Sequence, residues 1–592
     1  MKQHIPKGGE FLVKETDPGS IFTPEELDEE QRMIAQACNE FLTREVFPRL
    51  EELDRQEEGL MESLLKKAGE LGLLGVTVPE EYGGSGKGFN TGLLVGEAIG
   101  AGHSFAVAFL AHTGIGTLPI LYYGTDKQKE KYVSGLAAGE QLACYCLTEP
   151  DAGSDARAGK TRAAIVEDGK AYLLNGQKMW ITNGGFADLF IVFAKIEDDR
   201  ELSAFIVEKG FGGITMNPEE RKMGIKGSST RQVFFNDCRV PAENLLSGRG
   251  QGFKIAVNIL NTGRAKLCAA ALGACKEVIA KSEKYANERV QFGAPIASFG
   301  AIKHKLAEMR LQTFALESAM YRTGKYVEEV CDEYLREGLP ADQARLKSTE
   351  QFAIECAILK VCGSECLDYV VDEGVQVFGG MGYSAEGPME RAYRDARINR
   401  IFEGTNEINR LLVVDMLLKR AMKGELNLMG PAREVAGELM RLPDMGSAEP
   451  DTVLAAEKRL LANLKKVVLM VAGAAVRKFM QHLEKEQELL MNIADMVSFI
   501  YLAESALLRA ASLSEKQGEE NASLYLDMAR VYLQEAADKI WLAGKEAVNS
   551  FAEGDELKAM QLGLKRFTKA APFNMKEARR RIFNGSNSPE NQ

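Results

Sequence analysis

The spacing of apolar residues changes twice along this chain, and that change limits the folds open to it. Before about residue 140 and after about residue 252, apolar positions recur with the period of an α-helix. Between these parts, short runs alternate apolar and polar residues, as half-buried strands do. The runs lie at Leu142–Thr148, Thr161–Val166, Ala171–Leu174, Met179–Thr182, Leu189–Ala194, Ser203–Val207 and Gln232–Phe235.

No helical stretch separates these strands, which predicts an antiparallel β-sandwich or barrel in the middle of the chain. Asp168-Gly169 predicts a hairpin turn. A doubly wound dinucleotide-binding fold is excluded, because Gly100-Ala101-Gly102 and Gly210-Phe211-Gly212 lack the third glycine of its phosphate loop.

A chain of 592 residues is too long for one core. The predicted fold class is α+β and multidomain, with a capping box at Thr23-Pro24-Glu25-Glu26 that predicts a first helix from about 24 to the mid-forties. The predicted parts are an N-terminal α domain (1–140), a middle β domain (141–247), a C-terminal four-helix bundle (248–420), a linker (421–452) and an additional helical domain (453–592).

Composition excludes several classes of function. The net charge of −12, from 73 basic and 85 acidic residues, argues against nucleic-acid binding as the main function. Ten irregularly spaced cysteines do not form a disulfide framework and indicate a reduced, intracellular protein. None of the five histidines lies near a cysteine pair, so no metal site is predicted.

One uncharged stretch, Ser104–Tyr123, has the length of a membrane-crossing helix. Gly114, Gly116 and Pro119 interrupt it, so we predict a buried helix followed by a turn and no integral membrane contact. The N-terminus mixes lysines with acids and has no apolar core, unlike transit or signal peptides. The expected location is the cytoplasm of a prokaryote, with a mature mitochondrial form as the alternative.

Glu403 is followed directly by Gly404 and Thr405, between one helical segment and the start of another. Glycine permits a tight turn there. Taken alone, such a carboxylate is more often a solvated loop acid or a favourable charge at a helix N-terminus. Its context in the rest of the chain favours a different interpretation.

Five stretches together resemble the acyl-CoA dehydrogenases, in the order of that family and across roughly residues 25–420. These are Tyr145 to Ser154, Lys178 to Gly184, Arg289 to Gly293, Gln376 to Gly380 and Ile401 to Arg410. The resemblance implies FAD as cofactor and acyl-CoA as substrate. It also implies a homodimer or homotetramer that passes its electrons to an electron-transfer flavoprotein.

The resemblance makes Glu403 the catalytic base, which removes the α-proton of the thioester while a hydride leaves the β-carbon for the flavin N5, giving a trans-2-enoyl-CoA. Such a base needs a pKa raised toward 7, and burial in an apolar site raises the pKa of a carboxyl in this way. The backbone N–H of the same residue is expected to bond the thioester carbonyl.

The resemblance also implies the FAD contacts. One side of the flavin is lined by Tyr145, Cys146, Leu147, Thr148, Gly153, Ser154, Trp180, Ile181 and Thr182. A neighbouring subunit's FAD is reached by Arg289, Gln291, Phe292, Gln376, Gly379 and Gly380, and the remaining contacts come from Thr405, Asn406 and Glu407. An isolated tryptophan in a strand would more often be sandwich core, so that alternative for Trp180 stays open.

Substrate contacts are implied for Ser154, Asn261, Arg264 and Gly404, either with the CoA chain or around the base. The family usually has an acid where Asn261 stands.

In this family the base stands at one of two sequence positions. Glu403 occupies one of them here and Gly263 the other, so the resemblance implies that Glu403 acts alone. The stretch from Leu260 to Arg264 and the additional domain resemble the very-long-chain branch, which implies a long acyl group. An acyl-CoA oxidase and a non-enzymatic assembly scaffold remain as alternatives.

Overall fold

The structure is a computed structural model that describes residues 6–439 and 453–586. It confirms the α+β, multidomain fold class. The N-terminal domain contains helices α1 (Glu29–Phe41), α2 (Leu50–Asp54), α3 (Leu60–Glu70), α4 (Phe89–Gly100), α5 (Ser104–Leu110), α6 (Leu118–Tyr123) and α7 (Asp126–Ala138). Residues 111–116 form a π-helical turn between α5 and α6.

The first helix begins later than predicted. Thr23 and Glu26 cap only a short 3₁₀ turn, in which the Glu26 carboxylate accepts a hydrogen bond from the Thr23 N–H at 2.9 Å. A second capping box starts α1: the Gln31 N–H donates to Asp28 at 2.8 Å, and the Asp28 N–H donates to Gln31 at 3.1 Å. Two consecutive capping boxes therefore occur where the sequence predicted one.

The middle domain is an eight-stranded sheet, with most of its neighbouring strands antiparallel. Two pairings correct the antiparallel prediction, because β1 and β2 both run parallel to β4. The predicted hairpin joins β2 to β3 through residues 167–170. The strands are β1 (Ala143–Cys146), β2 (Arg162–Val166), β3 (Ala171–Thr182), β4 (Leu189–Ile196), β5 (Ser203–Glu208), β6 (Ile214–Met216), β7 (Thr230–Pro241) and β8 (Leu245–Leu246).

The third part packs long helices around one apolar core. Two helices follow one another closely at Phe352, where the backbone leaves the helical region. The elements are α8 (Gly252–Glu288), β9 (Val290–Gln291), β10 (Ala294–Pro295), α9 (Gly300–Arg336), α10 (Ala341–Gln351), α11 (Ala353–Phe378), α12 (Gly380–Tyr383), α13 (Pro388–Ala396) and α14 (Asn406–Met422).

The linker prediction for 421–452 is wrong in part, because α15 (Met429–Leu439) lies within it. Pro431 stands in the first turn of that helix, where the missing N–H costs little. Residues 440–452 lie outside the described residues. The additional domain then contains α16 (Ala455–Phe479), α17 (Gln487–Gln517), α18 (Ser523–Phe551), α19 (Gly554–Phe567) and α20 (Met575–Ser586).

The additional domain packs against the helical bundle. Arg322 of α9, 1% exposed, pairs at 2.8 Å with Glu504 of α17. Arg509 of α17 pairs at 2.6 Å with Glu317 of α9. Removing one partner of a buried ion pair costs about 3–5 kcal/mol, so these pairs make the two parts mutually dependent.

Two apolar helical stretches of the described residues are long enough to cross a membrane. These are Ser104–Tyr123 and Gln487–Gln517, and 78% and 94% of their apolar windows are buried inside the protein. Burial of this kind is typical of core helices.

Candidate active site

Glu403 lies on a tight connection between the 3₁₀ turn Arg397–Arg400 and helix α14. Its φ is 58°, and Gly404 follows with a φ of 80°. The sequence predicted a tight turn here, and the glycine takes this left-handed conformation without cost, whereas a glutamate pays about 1–2 kcal/mol. The strain at Glu403 itself was not predicted, and such outliers cluster at functional sites.

The loop is held from its inner side by Asn409. Its amide Nδ2 donates to the backbone carbonyls of Glu403, Gly404 and Thr405, at 3.4, 2.8 and 3.0 Å. Arg264 Nε lies 3.5 Å from the Glu403 carbonyl. These contacts fix the backbone of the turn that carries the Glu403 side chain.

The Glu403 carboxylate lies directly beside Gly263 of α8. A Cβ atom added to Gly263 would stand 2.9 Å from Oε2 and 3.2 Å from Cδ of Glu403. Oε2 is buried and has no hydrogen-bond partner among the described residues. A buried acceptor without a partner is costly, so this atom is suited to a ligand.

Removal from bulk water raises the pKa of Glu403 to about 7, and the cations of Arg264 and Lys360 act in the opposite direction. Arg264 is 5% exposed, and Lys360 is fully buried. The carboxyl therefore has the proton affinity of a general base that works near neutral pH.

An apolar cavity of about 150 Å³, open to solvent at its mouth, begins at Glu403 and runs along α8. Small residues of α8 line it, including Gly263, Ala270 and Ala274. Lys281 lines it eighteen residues beyond Gly263, which is about 27 Å along a helix. The cavity is therefore shaped for a long, narrow and mostly apolar ligand.

Strand β3 brings the middle domain to the same cavity. Thr182, its last residue, lines the cavity with Glu403. The Met179 N–H donates to the Thr148 carbonyl at 2.9 Å, which places the end of β3 beside the segment after β1. A register shift between Lys178 and Ile181 turns Trp180 outward, with a φ of 61° and 54% of its surface exposed. The sandwich-core alternative for Trp180 is therefore wrong.

Four family profiles match the chain. They describe the N-terminal domain of acyl-CoA dehydrogenases at residues 28–140, the middle domain at 144–238 and C-terminal domains at 250–418 and 463–566. The "Probable acyl-CoA dehydrogenase" of Bacillus subtilis (strain 168) is 45% identical over 581 residues, which cover 98% of this chain and 97% of the relative. This chain belongs to the acyl-CoA dehydrogenase family.

Two further relatives extend this result. A crystal structure of an acyl-CoA dehydrogenase from Bacillus anthracis, complexed with FAD, superposes with a TM-score of 0.95 at 47% identity and 98% coverage of both chains. The human mitochondrial very long-chain specific acyl-CoA dehydrogenase is 39% identical over 502 residues, covering 80% of this chain and 73% of its own length. The additional domain is thus included in the match to the Bacillus structure.

The acyl-CoA dehydrogenase segments expected to line the flavin differ in what they offer. Cys146 and Ile181 bury their side chains in the core of the middle domain, so only their backbones face outward. Gly153 and Ser154 are exposed. The hydroxyl of Tyr145 is buried and without a partner among the described residues. Leu147 and Thr148 follow the end of β1 and lie beside β3.

The six residues expected to reach a neighbouring subunit form an exposed patch at the far end of α8. Tyr285 stacks on Phe378, with ring centroids 4.1 Å apart, and thereby joins the ends of α8 and α11. Phe292 is 96% exposed. The other members, all exposed, are Arg289, Gln291, Gln376, Gly379 and Gly380. Arg289 lies about 39 Å along α8 from Gly263, so the patch is far from the Glu403 carboxylate.

At the start of α14 a side-chain contact of Asn406 with FAD is not supported, whereas Thr405 and Glu407 remain candidates. Asn406 is 2% exposed, and its amide bonds to Lys360 at 2.8 Å and to Glu365 at 3.0 Å, so its side chain is directed inward. The Thr405 hydroxyl caps α14 by accepting from the Ile408 N–H at 3.3 Å. Glu407 is exposed and remains a candidate.

The predicted substrate contacts divide into two groups. Gly404 lies in the turn itself, and Ser154 is exposed. Asn261 and Arg264 are buried behind Glu403 and bond to each other at 2.8 Å. A direct substrate contact by Asn261 is therefore not supported. The two residues instead determine the surroundings of the Glu403 carboxylate.

Sequence reasoning missed two buried lysines. Lys360 is the cation bonded to Asn406, and Lys266 of α8 lines the cavity. Burial lowers the pKa of each to about 8. Lys360 is surrounded in sequence by apolar residues, whereas Lys266 follows Arg264 by two positions, so helical spacing gave no common signal of their burial.

Proposed function

We propose that this chain is an FAD-dependent dehydrogenase that converts long-chain acyl-CoA to trans-2-enoyl-CoA in fatty acid β-oxidation. The observation that carries the proposal is the position of Glu403. Its carboxyl, with a pKa of about 7, lies in the wall of an apolar cavity. Thr182, at the end of strand β3 that we expect to face the flavin, lines the same cavity. A base, an apolar channel and the expected cofactor segment thus meet at one place.

Different residues would hold the cofactor and remove the proton. FAD, when bound, supplies the acceptor for the hydride from the β-carbon. The Trp180 and Thr182 end of β3 and the Tyr145 to Thr148 segment would hold it. The exposed ring of Trp180 and the unpaired Tyr145 hydroxyl fit such a ligand. Glu403 removes the α-proton, and the apolar cavity excludes water, which keeps its pKa raised.

Chain length is inferred from the cavity. The lining of α8 runs over about 27 Å from Gly263 to Lys281. An extended chain advances about 1.2 Å per bond, so this distance accommodates on the order of 20 carbons. The similarity to the very long-chain specific relatives supports the same length class.

Three further proposals follow from the family. Acyl-CoA dehydrogenases oligomerise, and the exposed patch around Phe292 is our proposed contact with a second subunit's FAD, in a homodimer or homotetramer. Electrons leave to an electron-transfer flavoprotein. The bacterial relatives support the cytoplasm as the location.

Anaerobic titration of the purified protein with saturated acyl-CoAs of graded length tests the proposal. We expect a yellow protein whose oxidised-flavin absorbance falls, most completely with long chains. Glu403→Gln should bind FAD and acyl-CoA but reduce flavin about 10²–10⁴-fold more slowly. Asp527→Asn, a carboxylate change distant in the additional domain, is the control.

Three results would contradict the proposal. A Glu403→Gln protein that reduces flavin within tenfold of wild type would remove Glu403 from the mechanism. Rapid oxygen consumption on acyl-CoA would indicate the oxidase. A colourless protein that takes up no FAD would indicate the scaffold.

A further inference from the structure

A continuous chain of polar contacts joins the loop of Glu403 to the additional domain. It starts at the loop and the first turns of α14, where Asn409 holds the loop carbonyls and Asn406 is held by Lys360. It passes to Glu365 of α11 and Arg410 of α14. It ends at Asp495 of α17.

Arg410 is the centre of this chain because each of its three guanidinium nitrogens donates a hydrogen bond to a carboxylate. Nη1 and Nη2 bond to the two carboxylate oxygens of Glu365 at 2.7 and 2.9 Å. Nε bonds to Asp495 Oδ1 at 2.6 Å. Arg410 is 16% exposed, so these are partly buried, charge-assisted bonds, which are about twice as strong as neutral ones.

Glu365 transmits the contact back to the catalytic loop. Its Oε1 accepts from Asn406 Nδ2 at 3.0 Å as well as from Arg410. Asn406 is the first residue of α14, three positions after Glu403. A movement of Arg410 therefore shifts Glu365 and Asn406 together, and with them the residues that fix the turn.

The Glu403 turn needs such support. Its left-handed φ is strained, and strained conformations persist only where the surrounding contacts determine them. The contacts from Asn409 and Arg264 act on its carbonyl. The Arg410 chain fixes the helix that follows.

We propose that Asp495 of the additional domain is a positioning residue for the proposed dehydrogenase reaction. It orients Arg410, and through Glu365 and Asn406 it keeps the Glu403 carboxylate at the α-carbon. The additional domain thereby contributes to the active site without touching substrate or cofactor. This inference rests on Glu403 being the base.

Asp495→Asn tests this role because the amide keeps the shape and loses the charge. We expect the rate of flavin reduction at saturating acyl-CoA to fall by on the order of tenfold, since a displacement of about 1 Å can cost 10²-fold. The affinity for acyl-CoA and the FAD content should match wild type, and any fall in Tm should resemble that of Asp527→Asn. Asp495→Glu, which keeps the charge, should recover part of the rate.

Asp527→Asn is the matched control, because Asp527 also pairs with an arginine, Arg581, but within the additional domain. It should reduce flavin at the wild-type rate. Arg410→Lys keeps the charge and loses the fork, so it should slow reduction similarly. Combined with Asp495→Asn it should add little further loss, because both act through one contact.

Asp495→Asn reduction within twofold of wild type would overturn the inference. A fall in rate matched by an equal fall in FAD content, or by equal losses in Asp527→Asn, would overturn it too, because the role would then be general stability. Glu403→Gln separates the two proposals. If Glu403→Gln retains activity, the proposed function fails; if only Asp495→Asn is unaffected, this inference alone fails.

Discussion

Gly263 and Glu403 face each other across the base site, because a Cβ atom at Gly263 would come within 2.9 Å of Glu403 Oε2. The two residues are far apart in sequence and lie on different elements, α8 and the loop before α14. Their proximity supports the prediction that both positions look onto the same reacting carbon. It also means that a side chain at 263 and the carboxylate at 403 compete for one volume.

Exchanging the two residues tests this geometry. Glu403→Gly should abolish flavin reduction, and the double variant Glu403→Gly with Gly263→Glu should recover part of it. Recovery should be incomplete, because a new carboxylate displaced by about 1 Å costs on the order of 10²-fold. The measurement is anaerobic flavin reduction by a long-chain acyl-CoA. A folded, yellow double variant with no recovery would show that position 263 does not face the α-carbon.

Gly263→Ala, with Glu403 retained, is the complementary variant. Its Cβ would lie 2.9 Å from Oε2, so the carboxylate has to move. We expect slower flavin reduction at normal FAD content. Gly437→Ala on α15, where an added Cβ meets no atom within 4 Å, is the matched control. Equal rates for Gly263→Ala and wild type would contradict the close approach.

The tight turn at Glu403 was predictable from the sequence because its constraint is local. A glycine after the acid predicted the turn, and Gly404 makes it with a φ of 80°. The alternation of residues 141–247 likewise predicted strands, since a sheet with a buried face imposes it. Parallel pairing of β1 and β2 with β4 was not predictable, because alternation is the same for either direction.

Tertiary placement explains the remaining errors. Lysines in helices usually lie on solvated faces, so the burial of Lys266 and Lys360 could not be read from helical spacing. The inward direction of Asn406 depends on where α14 begins. Asp495 lies 85 residues from Arg410 in sequence, and no local pattern connects them.

The pH dependence of flavin reduction should follow the ionisation of Glu403. The base has to be unprotonated, so the rate should rise as the pH passes about 7. Lys360→Met removes a cation that lowers the pKa of Glu403, so the midpoint should move to higher pH by about one pH unit. Stopped-flow reduction from pH 5.5 to 9 measures both. Lys347→Met, an exposed lysine, is the control. An unchanged midpoint in Lys360→Met would contradict the electrostatic assignment.

Lys266→Met should make the protein more stable at pH 7. The buried ammonium donates to the Thr113 carbonyl at 3.2 Å, and no acid contributes to its pKa, so its desolvation is poorly offset. The expected gain in free energy of unfolding is on the order of 1–3 kcal/mol, and it appears as a higher Tm.

Measuring the Tm of both proteins at several pH values tests how the ionisation of Lys266 changes stability. Burial lowers its pKa from 10.5 to about 8, so the unfolded chain holds this proton between these values while the folded chain releases it. Stability of the wild type therefore gains from this group as the pH rises from about 8 to 10.5. The Tm advantage of Lys266→Met should shrink over that range, whereas Lys347→Met should show no such trend. A Lys266→Met protein less stable than wild type at pH 7 would contradict the cost assigned to the ammonium.

Mixed dimers test whether the patch around Phe292 serves a neighbouring subunit. Arg289→Gln removes a forked cation and should weaken FAD binding by roughly 1.5–3 kcal/mol, the value of a hydrogen bond to a charged group. Its homodimer should lose FAD on dilution. A Glu403→Gln homodimer should keep FAD and lose flavin reduction. Neither homodimer is active after dilution without added FAD.

Co-expression with two different affinity tags gives the mixed dimer, in which each variant subunit is wild type at the other position. If Arg289 reaches the partner's FAD, the site with an intact Glu403 is completed by an intact Arg289 from the Glu403→Gln subunit, and activity returns to about half of the sites. If Arg289 serves its own subunit, that site lacks the arginine and loses FAD, so no activity returns. The distance of about 39 Å along α8 between Gly263 and Arg289 favours the first result. A mixed dimer as inactive as both parents would assign the patch to its own chain.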